Sequence, residues 1–234
     1  MYPDLLEEYW VQRACRSLGT SQPAHALQQM VPAIGKLSDL FTTERPGEFG
    51  RYGNDESSQL AYGLFFFPQT FMRISFILQE LSPAHIPPEG GPLRMLDLGA
   101  GLGAATCAAA AALHARPLEI RAADHAVESL NILAELFERG RPSLWPRATL
   151  SIGGSDFNPA RADADLDLVI VSFALNEAMQ SQSDEAVENW AGRLMAMLRP
   201  GGILLLCEPA LRATSERLER LRDRVAARRS ARIL

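Results

Sequence analysis

The spacing of apolar and polar positions changes near residue 93. Before that point the period is helical. Residues 4–18 set Leu5, Leu6, Tyr9, Trp10, Val11 and Ala14 toward one side, which predicts an amphipathic helix. Gly19 to Pro23 interrupts it, and 24–40 predicts a second, looser helical stretch across Pro32. Thr42 to Ser58 is rich in glycine and charge, has no period, and reads as a loop or boundary. From Gln59 to Leu81 an aromatic-rich run predicts two helical pieces meeting at Pro68, whose missing N–H suits a helix start. The prolines and glycines of 82–92 predict a linker.

After residue 93 short apolar runs alternate with helical ones, the pattern of βαβ units. Strands are expected at Leu93–Leu98, Leu118–Ala123, Ala148–Ile152, across Leu168–Val171, and at Ile203–Cys207. Helices are expected at Ala104–Leu113, His125–Phe137, Glu185–Leu198 and Ser215–Arg229. The β-branched centre of the fourth run suits a strand buried on both faces. The fold class implied is α/β, a Rossmann-like sheet over 93–234 with an N-terminal helical cap over 1–82.

The candidate chemistry begins where the first strand ends. Asp97-Leu-Gly99-Ala100-Gly101-Leu-Gly103 joins strand to helix through three alternate glycines. Such a turn bends sharply and brings a ligand onto bare backbone amides at a helix N-terminus. With Ala104 it also fits the dinucleotide fingerprint. Charge favours a different ligand, because a carboxylate at Asp97 repels a pyrophosphate and tolerates a sulfonium ligand with an α-amino group. Asp124, 21 positions after Gly103, stands where an acid takes up ribose hydroxyls, with a helix N-cap as its bland alternative. His125 beside it either stacks on adenine or faces water. Asp156 and Phe157, after the third strand, are candidates to accept an adenine amino group and flank the ring; Asp156 reads equally well as a turn residue. The segment Ser172–Glu177 falls at the expected switch point of the sheet, where substrates bind. The aromatics of 59–81 read first as core, and in a sharper reading Tyr62, Pro68, Gln69 and Thr70 roof the site.

Composition narrows the class. A formal charge of −5 argues against a strongly cationic nucleic-acid binder. Cys15, Cys107 and Cys207 lie far apart with no C-x-x-C spacing, so reduced thiols in a cytoplasmic protein are expected, without a metal site. Neither a signal peptide nor an apolar run of membrane-spanning length is visible, and no membrane association is expected.

Leu198-Arg-Pro-Gly-Gly202 before an apolar strand, together with D-x-G-x-G-x-G, Asp124 and Asp156, resembles the class I methyltransferases, which implies S-adenosylmethionine as cofactor. Four segments, AYGLFFFPQT (61–70), LDLGAGLGAAT (96–106), SFALNE (172–177) and LLLCEPA (204–210), resemble the ribosomal small-subunit methyltransferase-like family. Its members include mitochondrial small-subunit assembly factors. The resemblance implies a role on small-subunit rRNA or in subunit assembly. It assigns Asp97, Gly99, Ala100, Gly101, Gly103, Asp124, His125, Asp156, Phe157 and Ser172 to the cofactor. Phe173 is the candidate to stack a flipped base, with Asn176 and Glu177 as candidates to accept amine protons. Each also has a structural reading, as core, cap and helix start. The N/D-P-P-Y/F tetrad of base-amine methyltransferases is replaced by Ser172-Phe-Ala-Leu, and no cysteine is expected near 172–177, so a carbon-5 mechanism is not expected.

Family members continue into a cysteine-bearing segment associated with an iron–sulfur cluster and into two further strands. The sequence stops at Leu234, so a C-terminally shortened sheet is expected, its fifth strand at the edge. Residues 211–234 carry eight arginines against three acids, read either as a solvated helix or as an RNA phosphate contact. Two other functions compete: an assembly factor that keeps the pocket without turnover, and a small-molecule methyltransferase.

Overall fold

The structure is a computed structural model and describes residues 1–42, 55–81, 85–86, 90–155, 157, 165–228 and 231–234. Helices α1 (Asp4–Ser17) and α2 (Pro23–Thr42) open the chain, and α2 carries Pro32 inside it. Part of the expected loop 42–58 is helical: α3 spans Glu56–Ala61, capped by the Asp55 carboxylate, which accepts the Ser58 N–H at 2.8 Å. A π-helical turn, Tyr62–Phe66, leads into α4 (Phe67–Leu81), so the break falls ahead of Pro68. The turn sets Gly63 against the Trp10 ring, where a Cβ would collide.

Five parallel strands follow: β1 (Leu93–Leu98), β2 (Leu118–Asp124), β3 (Ala148–Gly154), β4 (Leu166–Ser172) and β5 (Leu198–Cys207), in the order β3-β2-β1-β4-β5. The chain runs outward from β1 to β3 and then returns to pair β4 with β1, Met95 facing Leu168. This return makes the switch point lie between the C-terminal ends of β1 and β4. Leu166 to Val171 are buried, as a central parallel strand requires. Between the strands lie α5 (Ala104–Ala112), α6 (Val127–Leu144), the short α7 (Leu175–Met179) and α8 (Asp184–Met195), and α9 (Arg212–Ala227) follows β5.

Two of the boundaries that differ from the sequence expectation have a packing or backbone cause. Helix α6 runs past Phe137, because Gly140 leaves room for the Trp145 ring to stack on Phe137 at 5.3 Å and donate to its carbonyl at 3.0 Å. Strand β5 starts at Leu198, paired with Leu166. Residues 199–202 then form an irregularity before Ile203 pairs with Leu168. Gly201 at φ +82° permits that excursion.

One core joins the N-terminal helices to the sheet: Leu6, Tyr9, Trp10, Phe67, Phe71 and Ile74 pack with Met95, Ile120 and the alanines of α5. A second core on the other face holds Val169, Val171, Val187, Trp190 and Leu194 together with Leu221 and Val225 of α9. The arginines of α9 are mostly engaged within the chain. Arg220 pairs with Asp184 at 2.8 Å, Arg224 and Arg228 pair with the buried Glu188 at 3.3 and 2.6 Å, and Arg217 donates to the Gln182 carbonyl at 2.7 Å. Arg212 and Arg222 pair with Glu216 and Asp223. Three of these arginines, Arg220, Arg224 and Arg228, therefore also tie the C-terminal helix to α8. Among the described residues no helix is long and apolar enough to cross a membrane.

Candidate functional site

The three glycines of the turn are left-handed, at φ +77°, +52° and +84°, and each answers a different demand. A Cβ on Gly99 would collide with Ala174, and one on Gly103 with the Leu133 side chain of α6. Gly101 has nothing within 4 Å of its would-be Cβ and faces open space. The Gly99 and Ala100 N–H groups donate to the Ala123 carbonyl at 2.8 and 3.1 Å, tying the turn to β2. Gly99, Ala100 and Gly101 line a cavity of about 1050 Å³ at the switch point, and Gly103 packs behind them as the N-cap of α5.

Three carboxyls define its chemistry. Asp97 is fully buried; its Oδ2 accepts the Thr106 hydroxyl at 2.6 Å, and its Oδ1 has no partner among the described residues. Burial, reinforced by the charge of Asp124, pushes its carboxyl up to about 7. Asp124 does not cap α6, whose N-cap is Ala126. It receives the Gly101 N–H on Oδ2 and the Ala126 N–H on Oδ1, both at 2.8 Å, so one side chain fixes the glycine turn and the start of α6. His125 is exposed, its Nδ1 at 3.2 Å from Asp124 Oδ1. Asp156 lies outside the described residues. Phe157 lies beside Gly99 and stacks on Trp190 at 5.1 Å, while the indole N–H donates to its carbonyl at 3.1 Å.

The third carboxyl, Glu208, is one that sequence reasoning left without a role. It follows β5, and its oxygens accept the Leu175 N–H at 2.8 Å and the Asn176 N–H at 3.3 Å, closing the first turn of α7. Burial pushes it up to about 7 against those hydrogen bonds. Asn176 and Glu177 are thereby held at the cavity wall together with Ser172, whose Oγ has no partner among the described residues. Phe173 takes a left-handed backbone at φ +59° while its N–H donates to the Cys207 carbonyl at 2.7 Å. A non-glycine residue held there costs of order 1–3 kcal/mol and marks a position the surroundings over-determine. Cys207 pairs with Ser172 across β4 and β5 and lines the cavity, which corrects the inference that no cysteine approaches 172–177. Burial pushes its thiol up to about 11, where it is a poor nucleophile.

The cap closes the other side. Tyr62, Gln69 and Thr70 line the cavity; Pro68 does not. Burial pushes the Tyr62 hydroxyl, paired with Thr70, up to about 12. Helix α4 works on two faces. Phe67, Phe71, Ile74 and Leu78 face the core, and Gln69, Arg73 and Phe76 face the cavity. Among the described residues no cluster of His, Cys, Asp and Glu is placed to hold a metal ion.

A nucleoside with a cationic amino-acid tail fits these residues on two observations. The orphaned, fully buried Asp97 Oδ1 lacks a donor, and Gly101 leaves the turn open where a Cβ would intrude.

Comparison with known proteins agrees with this geometry. The family model described as mitochondrial small ribosomal subunit Rsm22 matches residues 56–234. No curated protein matches the chain. Among solved structures, the chain is similar to the CMeT domain of the citrinin polyketide synthase (21% identity, 79% of this chain and 48% of that one, TM-score 0.50). It is also similar to a Listeria monocytogenes protein described as a class I S-adenosylmethionine-dependent methyltransferase (14%, 66% and 50%, 0.49). A third is the glycopeptide N-methyltransferase MtfA (22%, 57% and 52%, 0.42). The chain spans about half the length of these structures. The likeness to the CMeT domain and the strand order show a Rossmann-like fold.

Proposed function

The chain belongs to the Rsm22 family, and on that premise we propose that it is an S-adenosylmethionine-dependent methyltransferase acting on small-subunit rRNA or in small-subunit assembly. The observation that carries the reading is the pairing of an open glycine turn with an orphaned buried carboxylate, Asp97, inside a cavity far larger than a packing defect. Bound there, S-adenosylmethionine supplies an electrophilic methyl group on sulfur. Asp97 is assigned to the amino-acid tail of the cofactor, Asp124 to the ribose, and Phe157 to the adenine, beside His125.

In-line transfer from a sulfonium needs a nucleophile in register and little else, so the chain contributes position and exclusion of water. Residues 172–177 form the cavity wall beside the glycine turn, with Ala174 against Gly99, and Glu208 fixes its start by accepting from Leu175 and Asn176. Phe173 offers a ring for the acceptor, and Asn176 and Glu177 offer acceptors for its amine protons. An assembly factor without turnover is the second reading, favoured by the replacement of the N/D-P-P-Y/F tetrad with Ser172-Phe-Ala-Leu.

Calorimetric titration with S-adenosylmethionine, beside Asp124→Ala, tests the pocket. Binding that the substitution abolishes supports the assignment; a folded wild type that does not bind overturns it. Transfer of labelled methyl to small-subunit rRNA then separates the enzyme from the assembly factor.

A further inference from the structure

Helix α4 and the turn before it present a second face, toward the cavity margin. Phe65, Gln69, Arg73 and Phe76 recur at helical spacing on the side opposite the buried Phe67, Phe71 and Ile74. All four line the cavity, at its exposed margin: Phe65 is 44% and Phe76 60% exposed. A ladder of hydrogen bonds orders them. The Gln69 amide donates to the Phe65 carbonyl at 2.9 Å, and Arg73 Nη2 donates to Gln69 Oε1 at 3.3 Å. The guanidinium at the end of the ladder lies over the Phe173 ring, 5.6 Å from its centroid. Arg73 thus bridges cap and sheet, stacking on the strained residue assigned to the acceptor.

An exposed aromatic in a globular chain needs no explanation alone. Two of them, aligned with a stacked arginine around a single cavity mouth, form a stacking platform. We propose that this lip, Phe65–Arg73–Phe76, receives single-stranded RNA: one unstacked base takes the Phe173 face, and Phe76 and Phe65 stack its neighbours. Arg73 then exchanges its ring contact for a phosphate. The inference rests on the methyltransferase reading for its geometry and adds the substrate form, a single strand rather than a duplex. Two observations favour this occupant. Phe65, Arg73 and Phe76 line the same cavity of about 1050 Å³ as the glycine turn and Phe173, so a strand resting on the lip can place one base inside it. The exposed ladder carries a cation and no acid, on a chain whose formal charge is −5. Affinity therefore comes from stacking with one phosphate contact, not from a basic field.

The test uses the full chain and two titrations on each sample. One follows a fluorescein-labelled single-stranded 12-mer RNA of mixed sequence, and a blunt duplex of the same sequence, by anisotropy across a salt series. The other follows S-adenosylmethionine by calorimetry. The wild type is expected to prefer the single strand. Phe76→Ala and Arg73→Ala are each expected to weaken it about tenfold, and Phe76→Trp to retain it. Arg73→Ala alone is expected to reduce the salt slope by about 0.7, one phosphate contact on a single strand. Cofactor affinity should stay within about twofold in all three variants. Wild-type protein that binds cofactor but not the single strand, or binds the duplex equally, overturns the proposal, as do Phe76→Ala and Arg73→Ala variants with undiminished RNA affinity. Loss of cofactor binding by the wild type overturns the methyltransferase reading instead, and the RNA titration judges the lip separately.

Discussion

Replacing Asp97 by Asn separates what stabilises the fold from what the site requires. The carboxyl is fully buried, holds one hydrogen bond from Thr106, and has its proton affinity pushed up to about 7 from an ordinary value of 3.8. The folded chain therefore binds a proton here that the unfolded chain releases near pH 4. Stability from this group is fully present below about pH 4 and is lost as pH rises through about 7. At 1.36 kcal/mol per unit of pKa difference, the loss is on the order of 4 kcal/mol by pH 8. Asparagine carries no charge to desolvate, so its stability lacks that slope. The two proteins are expected to lie within about 1 kcal/mol of each other at pH 4, with the variant ahead by several kcal/mol at pH 8. Urea melts of the free proteins at unit pH steps from 4 to 8, at fixed ionic strength, measure the difference. A difference that stays constant from pH 5 to 8 refutes the account of Asp97 as a buried, costly carboxyl. Calorimetry at pH 7 supplies the other half. If the cofactor ammonium pairs with Asp97, binding ionises the acid and releases a proton, seen as a heat that varies with the buffer. The variant then loses both the proton release and at least about tenfold in affinity. A stabilised variant that keeps its affinity removes Asp97 from the cofactor.

The glycines of the turn should respond according to what faces each. Gly103→Ala drives a Cβ into Leu133 at φ +84° and is expected to cost about 2–4 kcal/mol in a urea melt. Gly101→Ala meets only open space, so it is expected to cost about 1–2 kcal/mol through φ alone while lowering cofactor affinity. Glu188→Gln removes the buried charge that holds Arg224 and Arg228, with an expected loss of about 2 kcal/mol. Limited trypsinolysis at the α9 arginines should accelerate in that variant, while cofactor affinity is unchanged.

What the sequence made legible was local. Gly99 to Gly103 and the apolar run of β4 announce a turn and a central strand through residue type alone, and both stand where they were expected. What escaped depends on partners distant in the chain. The π turn at 62–66 sets the bare backbone of Gly63 against Trp10, more than fifty residues earlier. Helix α6 passes the polar stretch 138–142 because Trp145 folds back onto Phe137. Cys207 seemed remote from Ser172 until strand register made them neighbours. The arginines of 211–234 looked available because the acids they meet, Asp184 and Glu188, lie on another helix. Asp124 was legible as an acid at the right place, though not as the anchor of Gly101 and Ala126.

On the proposed RNA reading, these long-range contacts share a physical consequence. Arg220, Arg224 and Arg228 are paired with Asp184 and Glu188 yet keep about half or more of their side chains exposed, so part of this positive charge holds the helix in place. Asp97, Asp124, Glu177 and Glu208 line the cavity, and whichever of them are ionised repel a phosphate drawn inside. An uncharged base can enter where a phosphate cannot. The division of labour follows: acids and glycines inside for a cationic cofactor, and aromatic rings with one guanidinium at the margin for a base and its flanking phosphate. Arg73 stands at that division, lining the cavity with its guanidinium over Phe173 and bonded to Gln69 of the lip. On the proposed RNA reading, approach by stacking rather than by charge is what a chain of net charge −5 calls for.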